Sequence, residues 1–386
     1  TFGSGNMPQI DNIASTLNSS FGLSPIVSSL VITILVGLVI IGGINRIASF
    51  AGSIVPVMAF VYIVGSLSVL IFNYSNILPS FYIIIHDVFS GSAIAGGFLG
   101  ASFSTAFTYG VARGLYSNEA GQGSSPIAHA TSNTKHSIEE GFVSILEPFI
   151  DTLVICTLTG LVILASGVWT EKYENDFERT SLYFLGQSDS EKNITNQINS
   201  YTKCRDEGAK CFTGEISVEM GIADKKNTIF HNRSLAENVI FTKDGELFTG
   251  LIKVNNGLMV SSGINVRGES LVKSAVLTSK AFNAGFFGNY GEYIVSIGLL
   301  LFAFSTMITW SYYGDRCTLY LFGEKALIYY RIFYLLAMFI AGSGLIDTEV
   351  IWNFALITVA ASTLPNLLGI FLLRKEMKFL LQDYFK

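Results

Sequence analysis

Residues 107–131 read FTYGVARGLYSNEAGQGSSPIAHAT. The stretch closes an apolar run, since residues 88–112 contain no Asp, Glu, Lys or Arg. Ionisable groups cost roughly 2.5–3.5 kcal/mol each on membrane insertion, and a helix break at membrane depth survives only inside protein or along a wet cavity. A broken polar membrane helix is therefore typical of a solute-binding carrier. Its helix breakers and polar side chains are Gly110, Gly114, Gly121, Gly123, Pro126, Arg113, Asn118, Glu119 and His129.

The composition places the whole chain in a bilayer. Of its 386 residues, 50% are hydrophobic and only 14% are charged, whereas soluble domains carry about 25% charged residues. The net charge of -5 argues against a nucleic-acid partner, because such partners are bound through excess Lys and Arg. The four cysteines lack metal-site spacing and are too few for a disulfide scaffold.

Several apolar segments approach the length of about 20 residues that a spanning helix needs. We expect about seven full spans, at 25–43, 49–72, an interrupted segment within 90–129, 141–169, 293–314, 327–346 and 350–373. Residues 1–15 are predicted to be the tail of an eighth helix, and residues 81–89 a short interfacial helix. The chain opens with Thr1, so we expect it to begin inside a larger protein.

Positive charge alternates between the short loops, and Lys and Arg mark cytoplasmic loops. The alternation predicts an external start, a cytoplasmic C-terminus and a multi-pass protein of the bacterial inner (cell) membrane. The basic residues that carry it are Arg46, Arg113, Lys135, Arg316, Lys325, Arg331, Arg374, Lys375, Lys378 and Lys386.

Residues 171–271 differ from the rest in being polar and charged, and we expect them to lie outside the membrane on the external face. They divide the chain into membrane domains 1–170 and 272–386. Alternating apolar and polar residues around Asp244-Gly245 predict a β-hairpin, so the insert is predicted to be partly β. Cys204 and Cys211 either form a disulfide or are two unrelated thiols.

Residues 113–130, RGLYSNEAGQGSSPIAHA, resemble the signature of the alanine or glycine:cation symporter family, also called sodium:alanine symporters. Further stretches fit at 5–12, 150–157, 301–306 and 310–317. The resemblance implies an all-α, leucine-transporter-type inverted-repeat fold, a small neutral amino acid as substrate and co-transported Na⁺ or H⁺. On this pattern the chain begins near the end of core helix three, so the earlier core helices are expected to be missing and the transporter incomplete.

The predicted substrate site follows from the broken helix and from the resemblance. Free N–H groups at a half-helix start favour a carboxylate, and free carbonyls at a half-helix end favour an ammonium. The glycines could instead serve close helix packing, and the unwound point could lie at 95–100 or at 110–114. The resemblance adds a polar pair three apart on one helix face. The candidates are Gln9, Asn12, Tyr109, Gly110, Gly114, Ser117 and Asn118.

Ser305 and Thr306 are the candidate Na⁺ ligands, because hard cations prefer oxygen and the resemblance places paired hydroxyls there. Alternatively, each hydroxyl bonds a carbonyl one turn back in its own helix. Glu119, Arg113 and Trp310 are assigned gating or structural roles, with Glu119 paired to Arg113 as the structural option. Asp315 and Arg316 are expected to pair. One of Glu147 and Asp151 is expected to be protonated, paired or hydrated, because like charges four apart repel.

The leading function is secondary active import of a small neutral amino acid with Na⁺ or H⁺. We expect no enzyme activity and no cofactor, because no hydrolase or metalloprotease motif occurs in the sequence. A membrane-embedded enzyme and an amino acid channel remain alternatives. The sequence does not indicate an oligomeric state.

Overall fold

Apolar helices build most of the chain. The computed structural model describes residues 1–90, 103–117, 119–187, 201, 211–223 and 227–386. The chain divides into two units. The first comprises Thr1–Ile77, Phe107–Ser166 and Thr278–Lys386, and the second comprises Leu78–Ala106 and Gly167–Leu277.

The helices of the described residues differ widely in length. Short 3₁₀ turns at Tyr74–Asn76, Val168–Thr170, Arg179–Ser181, Gly288–Tyr290 and Glu324–Ala326 connect elements. In chain order the α-helices are α1 (Phe2–Gly5), α2 (Met7–Phe21), α3 (Pro25–Ile40), α4 (Gly43–Phe72), α5 (Ile77–Ser90), α6 (Phe103–Ser117), α7 (Glu119–Gln122), α8 (Ser125–His129), α9 (Ser137–Ser144), α10 (Leu146–Pro148), α11 (Thr157–Ser166), α12 (Ser274–Asn283), α13 (Gly291–Phe322), α14 (Leu327–Gly342) and α15 (Thr348–Tyr384). A π-helical stretch, Phe149–Cys156, joins α10 to α11.

Five helical segments of the described chain are long and apolar enough to cross a membrane. They are Arg46–Phe72, Ser137–Ser166, Gly288–Phe322, Glu324–Gly342 and Thr348–Tyr384. The predicted span 25–43 is a shorter helix of 16 residues, because the chain turns at Gly43 with a φ of 72° and α4 begins there. The predicted span within 90–129 is broken into α6, α7 and α8, and residues 91–102 lie outside the described part.

The core of the first unit lies where α2, α3, α13 and α14 meet. Ile10, Val36, Met307 and Tyr334 are fully buried there. Gly342 lets α14 approach closely, since a Cβ at that position would lie 2.5 Å from side-chain atoms of both Ile10 and Ser29. Small residues at such contacts allow the dense packing that stabilises helices in lipid.

The second unit carries the strands of the insert. Three antiparallel sheets have the strand orders β1-β11-β7-β8, β10-β9-β3-β4 and β2-β5-β6. The strands are β1 (Lys172–Asp176), β2 (Leu182–Gln187), β3 (Gly214–Glu219), β4 (Ile222–Ala223), β5 (Asn227–His231), β6 (Ser234–Leu235), β7 (Glu237–Lys243), β8 (Glu246–Leu247), β9 (Gly250–Asn255), β10 (Leu258–Met259) and β11 (Asn265–Leu271).

Alternation of side chains sets the register of these strands. In β3, Ile216 and Val218 point into the core while their neighbours are exposed, and Ile216 pairs with Ile252 of β9. The Asp244-Gly245 hairpin is confirmed: β7 and β8 pair antiparallel across it, and both turn residues have positive φ, 53° and 89°. Such a turn matches the twist of the flanking strands.

The cysteines of the described chain differ in state. Cys211 is disulfide-bonded, whereas Cys156 and Cys317 are free. Cys204, which is the disulfide partner of Cys211 in one of the two predicted options, lies outside the described residues.

Candidate functional site

The first break in the chain separates α1 from α2 at Asn6, whose φ and ψ are −125° and −78°. Pro8 has no N–H group and cannot donate to the carbonyl of Ser4, four residues earlier. Tyr116 of α6 donates its hydroxyl to that carbonyl at 2.6 Å. The hydroxyl of Tyr334 lies 3.3 Å from the next carbonyl, that of Gly5, and 2.8 Å from the carbonyl of Met307, which is the nearer acceptor for its single hydrogen. Tyr116 therefore satisfies the carbonyl that the proline leaves open.

This break packs directly on Trp310. A Cβ at Gly5 would lie 1.9 Å from Cγ of Trp310, so only glycine fits there. Asn6 is fully buried and its side-chain Nδ2 donates to the carbonyl of Tyr334 at 2.8 Å. Residues 1–15 are thus a break followed by a helix that continues to Phe21, where the sequence predicts only a helix tail.

Gln9 points from α2 towards the broken helix. Its Nε2 atom donates to the hydroxyl of Tyr116 at 3.4 Å, and Tyr116 in turn holds the carbonyl of Ser4. Asn12, the second polar residue of the predicted pair, is half-buried one turn further along α2. Tyr116 was missed as a site residue, although it lies within the 113–130 signature.

The second break lies after α6, where α7 (Glu119–Gln122) and α8 (Ser125–His129) are separated at Gly123 and Ser124. α6 is a continuous helix through Gly110 and Gly114, and an added Cβ at either glycine would meet nothing within 4 Å. Tyr109 is 53% exposed on the same helix. The unwound point is therefore not at 110–114. The alternative at 95–100 and the candidate Asn118 lie outside the described residues.

Side-chain amides hold the backbone of the second break. Nε2 of Gln122 donates to the carbonyls of Leu115 and Tyr116 at 2.9 and 2.8 Å, at the end of α6. Nδ2 of Asn366, from α15, donates to the carbonyls of Ala120 and Gly121 at 2.9 and 3.0 Å. Carbonyls that an interrupted helix leaves open are thus satisfied from inside the protein, as an apolar environment requires.

Gly123 turns the chain between α7 and α8. Its φ of 81° is a left-handed conformation that glycine adopts without steric penalty. A Cβ there would also lie 2.9 Å from Cγ of Asn366, so the turn and the amide contact both require glycine.

Glu119 bonds across the protein to Trp310. Nε1 of Trp310 donates to Oε1 of Glu119 at 2.9 Å, and the hydroxyl of Ser124 donates to the other carboxylate oxygen at 3.3 Å. The structural option, a pair of Glu119 with Arg113, does not describe this structure, since the Arg113 guanidinium lies 4.1 Å from the ring centroid of Trp352 instead. Helix geometry explains this, because residues six apart in sequence are not neighbours on a helix face.

Ser305 and Thr306 both lie in α13, the helix that carries Trp310. Their hydroxyls donate to the carbonyl of Phe302 at 2.8 and 3.0 Å, which is the intrahelical alternative. A hydroxyl that donates its hydrogen keeps oxygen lone pairs for a cation, so the arrangement fits an oxygen-only cation site. Among the residues that the structure describes, no group of three His, Cys, Asp or Glu could hold a metal ion.

Asp315 pairs with Arg331 of α14 and not with Arg316. The carboxylate accepts from Nε and Nη2 of Arg331 at distances down to 2.7 Å. Arg316 lies over the ring of Tyr312 at 4.7 Å. The prediction of an Asp315–Arg316 pair is wrong because consecutive helical residues face different directions.

The carboxylates of Glu147 and Asp151 each accept a hydrogen bond from a serine next to the break. Ser125 donates to Oε2 of Glu147 at 2.6 Å, and Ser117 donates to Oδ2 of Asp151. Asp151 belongs to the π-helical stretch. π-Helical turns inside α-helices occur frequently at functional sites.

Together these contacts converge on residues 115–125. Side chains from α2, α13, α15 and the segment Ser137–Ser166 reach this stretch, through Gln9, Trp310, Asn366, Glu147 and Asp151. Both hydrogen-bond donors and hydrogen-bond acceptors lie at this helix break, and such a combination suits the binding of a zwitterion.

Comparison with known proteins identifies the family. The sequence model described as the sodium:alanine symporter family matches residues 1–188 and 247–386. The chain belongs to the sodium:alanine symporter family. The match includes both breaks and the helix α13, and it confirms the resemblance read from residues 113–130.

Three relatives indicate how far the likeness extends. The "Sodium/alanine symporter AgcS" of Methanococcus maripaludis is 31% identical over 96% of this chain and 59% of that protein. An "Uncharacterized transporter" of Haemophilus influenzae is 28% identical over 100% of this chain and 62% of its own length. The "Probable sodium/glutamine symporter GlnT" of Bacillus subtilis is 37% identical over 42% of this chain and 34% of its own length. The chain thus spans about three-fifths of the first two proteins.

Family membership bears on three expectations. The family is one of symporters, which agrees with the predicted class of function. With five helices able to span a bilayer, the chain is a multi-pass membrane protein. The family model leaves residues 189–246 unmatched, and these residues carry β3 to β7 of the insert.

Proposed function

We propose that the protein is a secondary active transporter that carries a small neutral amino acid together with Na⁺ across the cell membrane. The observation that carries this proposal is the second break, at residues 117–125, where polar groups from several helices converge. Relatives named for sodium and alanine, and for sodium and glutamine, support this class of substrate and ion.

The amino acid would bind beside the break. Gln9 and Tyr116 would face one of its charged groups, because the amide and the hydroxyl each donate and accept hydrogen bonds. Trp310 would close the site while it holds Glu119 in place. Residues Asn12, Tyr109, Gly110, Gly114, Ser117 and Asn118 remain further candidates for substrate contact.

The cation would bind at Ser305 and Thr306. Their hydroxyl oxygens would supply two ligands, and backbone carbonyls would supply the rest. Coupling is thermodynamic, since each ligand stabilises the conformation that the other prefers. Transport would then proceed by alternating access in a leucine-transporter-type inverted-repeat fold, with the C-terminus cytoplasmic and the insert external.

Uptake by purified protein in liposomes tests the proposal. Radiolabelled alanine, glycine and glutamine would be offered under an inward Na⁺ gradient, under a proton gradient, and with choline replacing Na⁺. We expect saturable uptake of at least one small amino acid that rises at least fivefold with the Na⁺ gradient. Uptake driven only by the proton gradient would identify H⁺, and not Na⁺, as the co-transported ion. Uptake that does not saturate and ignores both gradients would indicate a channel and contradict the proposal.

A further inference from the structure

Two carboxylates accept hydrogen bonds from residues on opposite sides of the second break. Asp151 accepts a hydrogen bond from Ser117, the last residue of α6. Glu147 accepts one from Ser125, the first residue of α8, at 2.6 Å. The intervening residues of the break are thus bracketed by two hydrogen bonds to one helical segment, Ser137–Ser166.

The spacing of the two carboxylates is set by that segment. Residues four apart lie on one face of a helix, about 5–6 Å apart. Here the helix changes from α to π at Phe149, between Glu147 and Asp151. The π turn changes the rise and direction of the second carboxylate, so the distance between the two flanks of the break depends on this local geometry.

The segment Ser137–Ser166 has an independent anchor at its other end. Thr159 and the hydroxyl of Tyr62 in α4 lie 2.7 Å apart, and Asn76 donates to the carbonyl of Ala165 at 2.9 Å. Val162 and Ala165 are fully buried. By contrast, only 11% of the residues in the most apolar part of the segment are buried. Its carboxylate end therefore meets the broken helix through polar contacts, while apolar packing holds the far end.

We propose that Asp151 and Glu147 are positioning residues for the substrate site: they fix the two flanks of the break at the separation that ligand binding requires. The proposal rests on the proposed function and adds two residues to it. Hydrogen bonds from hydroxyls to carboxylates are roughly twice as strong as neutral ones, which suits a rigid hold. Because α11 is anchored separately, loss of a carboxylate should leave the protein folded and loosen only the break.

Transport kinetics test this proposal with amides as conservative variants. Asp151→Ala and Glu147→Ala should each raise the KM for the amino acid about tenfold, with Vmax within twofold of wild type. Asp151→Asn and Glu147→Gln keep an acceptor oxygen and should recover most of the affinity. Glu139→Gln, on the same segment, is the matched control and should change neither constant. A fall in Vmax with unchanged KM, or an amide as harmful as alanine, would overturn the proposal.

Double-mutant cycles test whether the serines act through the carboxylates. Ser117→Ala combined with Asp151→Ala should be no worse than the more harmful single change, because each removes the same hydrogen bond. The same should hold for Ser125→Ala with Glu147→Ala. Fully additive effects in both cycles would contradict the assigned partners.

A native thiol gives a readout that does not need transport. Sγ of Cys156 lies 3.6 Å from Oγ of Ser117 and is exposed. In a Cys317→Ser background, Asp151→Ala and Glu147→Ala should each raise the rate of maleimide labelling of Cys156 at least threefold, whereas Glu139→Gln should not. Absence of uptake by wild type would refute the proposed function while these rates still judge the two carboxylates. Unchanged labelling in both alanine variants would refute the positioning role.

Discussion

The break around residues 115–125 and the β-structured insert satisfy their backbone hydrogen-bonding groups in different ways. In the insert, backbone groups pair along strand ladders, and buried side chains such as Ile216 and Ile252 meet across neighbouring strands. At the break, backbone carbonyls are satisfied one by one by side chains distant in sequence, as when Asn366 reaches Ala120 and Gly121. The insert therefore depends on a repeating pattern, whereas the break depends on individual polar contacts.

The difference bears on how each region responds to change. In the insert, an exposed position tolerates substitution, whereas truncation of a core side chain loses burial and leaves a cavity. A break held by single contacts has no substitute when one of them is lost, because an unpaired polar group in an apolar setting costs several kcal/mol. Substitutions in the two regions can therefore test the contrast directly.

The largest effect should come from filling the close contact at Gly5. Gly5→Val would force a side chain into the ring of Trp310, where even a Cβ would lie 1.9 Å from Cγ. We expect loss of folded protein in detergent, or a stability loss of about 3 kcal/mol or more if it folds. Gly298→Ala, on the helix of Trp310 but with nothing within 4 Å of the added Cβ, should melt within 2 °C of wild type. Equal melting of the two variants would show that the packing at the first break is not tight.

A core truncation should destabilise the insert by a similar amount. Phe241 is fully buried between strands, and Phe241→Ala should cost about 3–5 kcal/mol through lost burial and the cavity left behind. Leu251→Ala, at a position that is 57% exposed on β9, should cost under about 0.5 kcal/mol. Amide hydrogen exchange of β7 and β9 measures both values. A similar cost for the two would mean that the alternation does not define the core.

His231 should make the insert sensitive to acid. Its ring stacks on Phe177 with centroids 4.2 Å apart, and its Nδ1 atom lies 2.7 Å from the hydroxyl of Ser270. Burial, followed by the charge of Lys273, lowers the pKa of His231 from 6.5 to about 3. The unfolded chain therefore binds the proton more tightly between these values, so stability is complete above pH 6.5 and falls as pH drops.

The expected slope from this histidine is about 1.4 kcal/mol per pH unit below its ordinary pKa. Hydrogen exchange of β5 and β11 between pH 7 and 5 measures it, after correction for intrinsic exchange rates. His231→Gln, which keeps a hydrogen-bonding side chain without the titration, should flatten the slope. A slope that is the same in the variant would assign the acid sensitivity to other groups.

A smaller effect is expected at Gln9. Gln9→Ala removes the amide that contacts Tyr116 and should weaken amino acid uptake at least tenfold, equivalent to about 1.4 kcal/mol in binding. Gln9→Glu should also reduce uptake, because a carboxylate no longer donates to the hydroxyl. Competition by unlabelled alanine against labelled alanine measures the affinity. Uptake unaltered by Gln9→Ala would remove Gln9 from the site.

Local signals in the sequence predict local structure well. The Asp244-Gly245 turn could be read directly, because positive φ at both positions is a property of those residues and of a two-residue hairpin. The long helices could be predicted from their apolar runs, because such runs are also a local feature of the sequence. Helix α3 ends earlier than the apolar run suggests, since hydropathy does not mark the point at which the chain turns.

Contacts between distant residues could not be read. Of the two unwound points that the sequence allows, 110–114 is excluded, because glycine permits an unwound turn but does not impose one, and Gly110 and Gly114 lie in regular helix. Asp315 pairs with Arg331, sixteen residues later, and Trp310 donates a hydrogen bond to Glu119, which is distant in sequence. Such pairs depend on how helices pack, and one sequence carries no direct signal of that.

Hydrogen–deuterium exchange of the peptide that spans residues 115–125, with and without alanine in Na⁺, tests the central claim most directly. If the second break is the amino acid site, alanine in Na⁺ should slow exchange there at least fivefold, and choline in place of Na⁺ should abolish the protection. Protection confined to other segments, with exchange at 115–125 unchanged by alanine, would contradict the account.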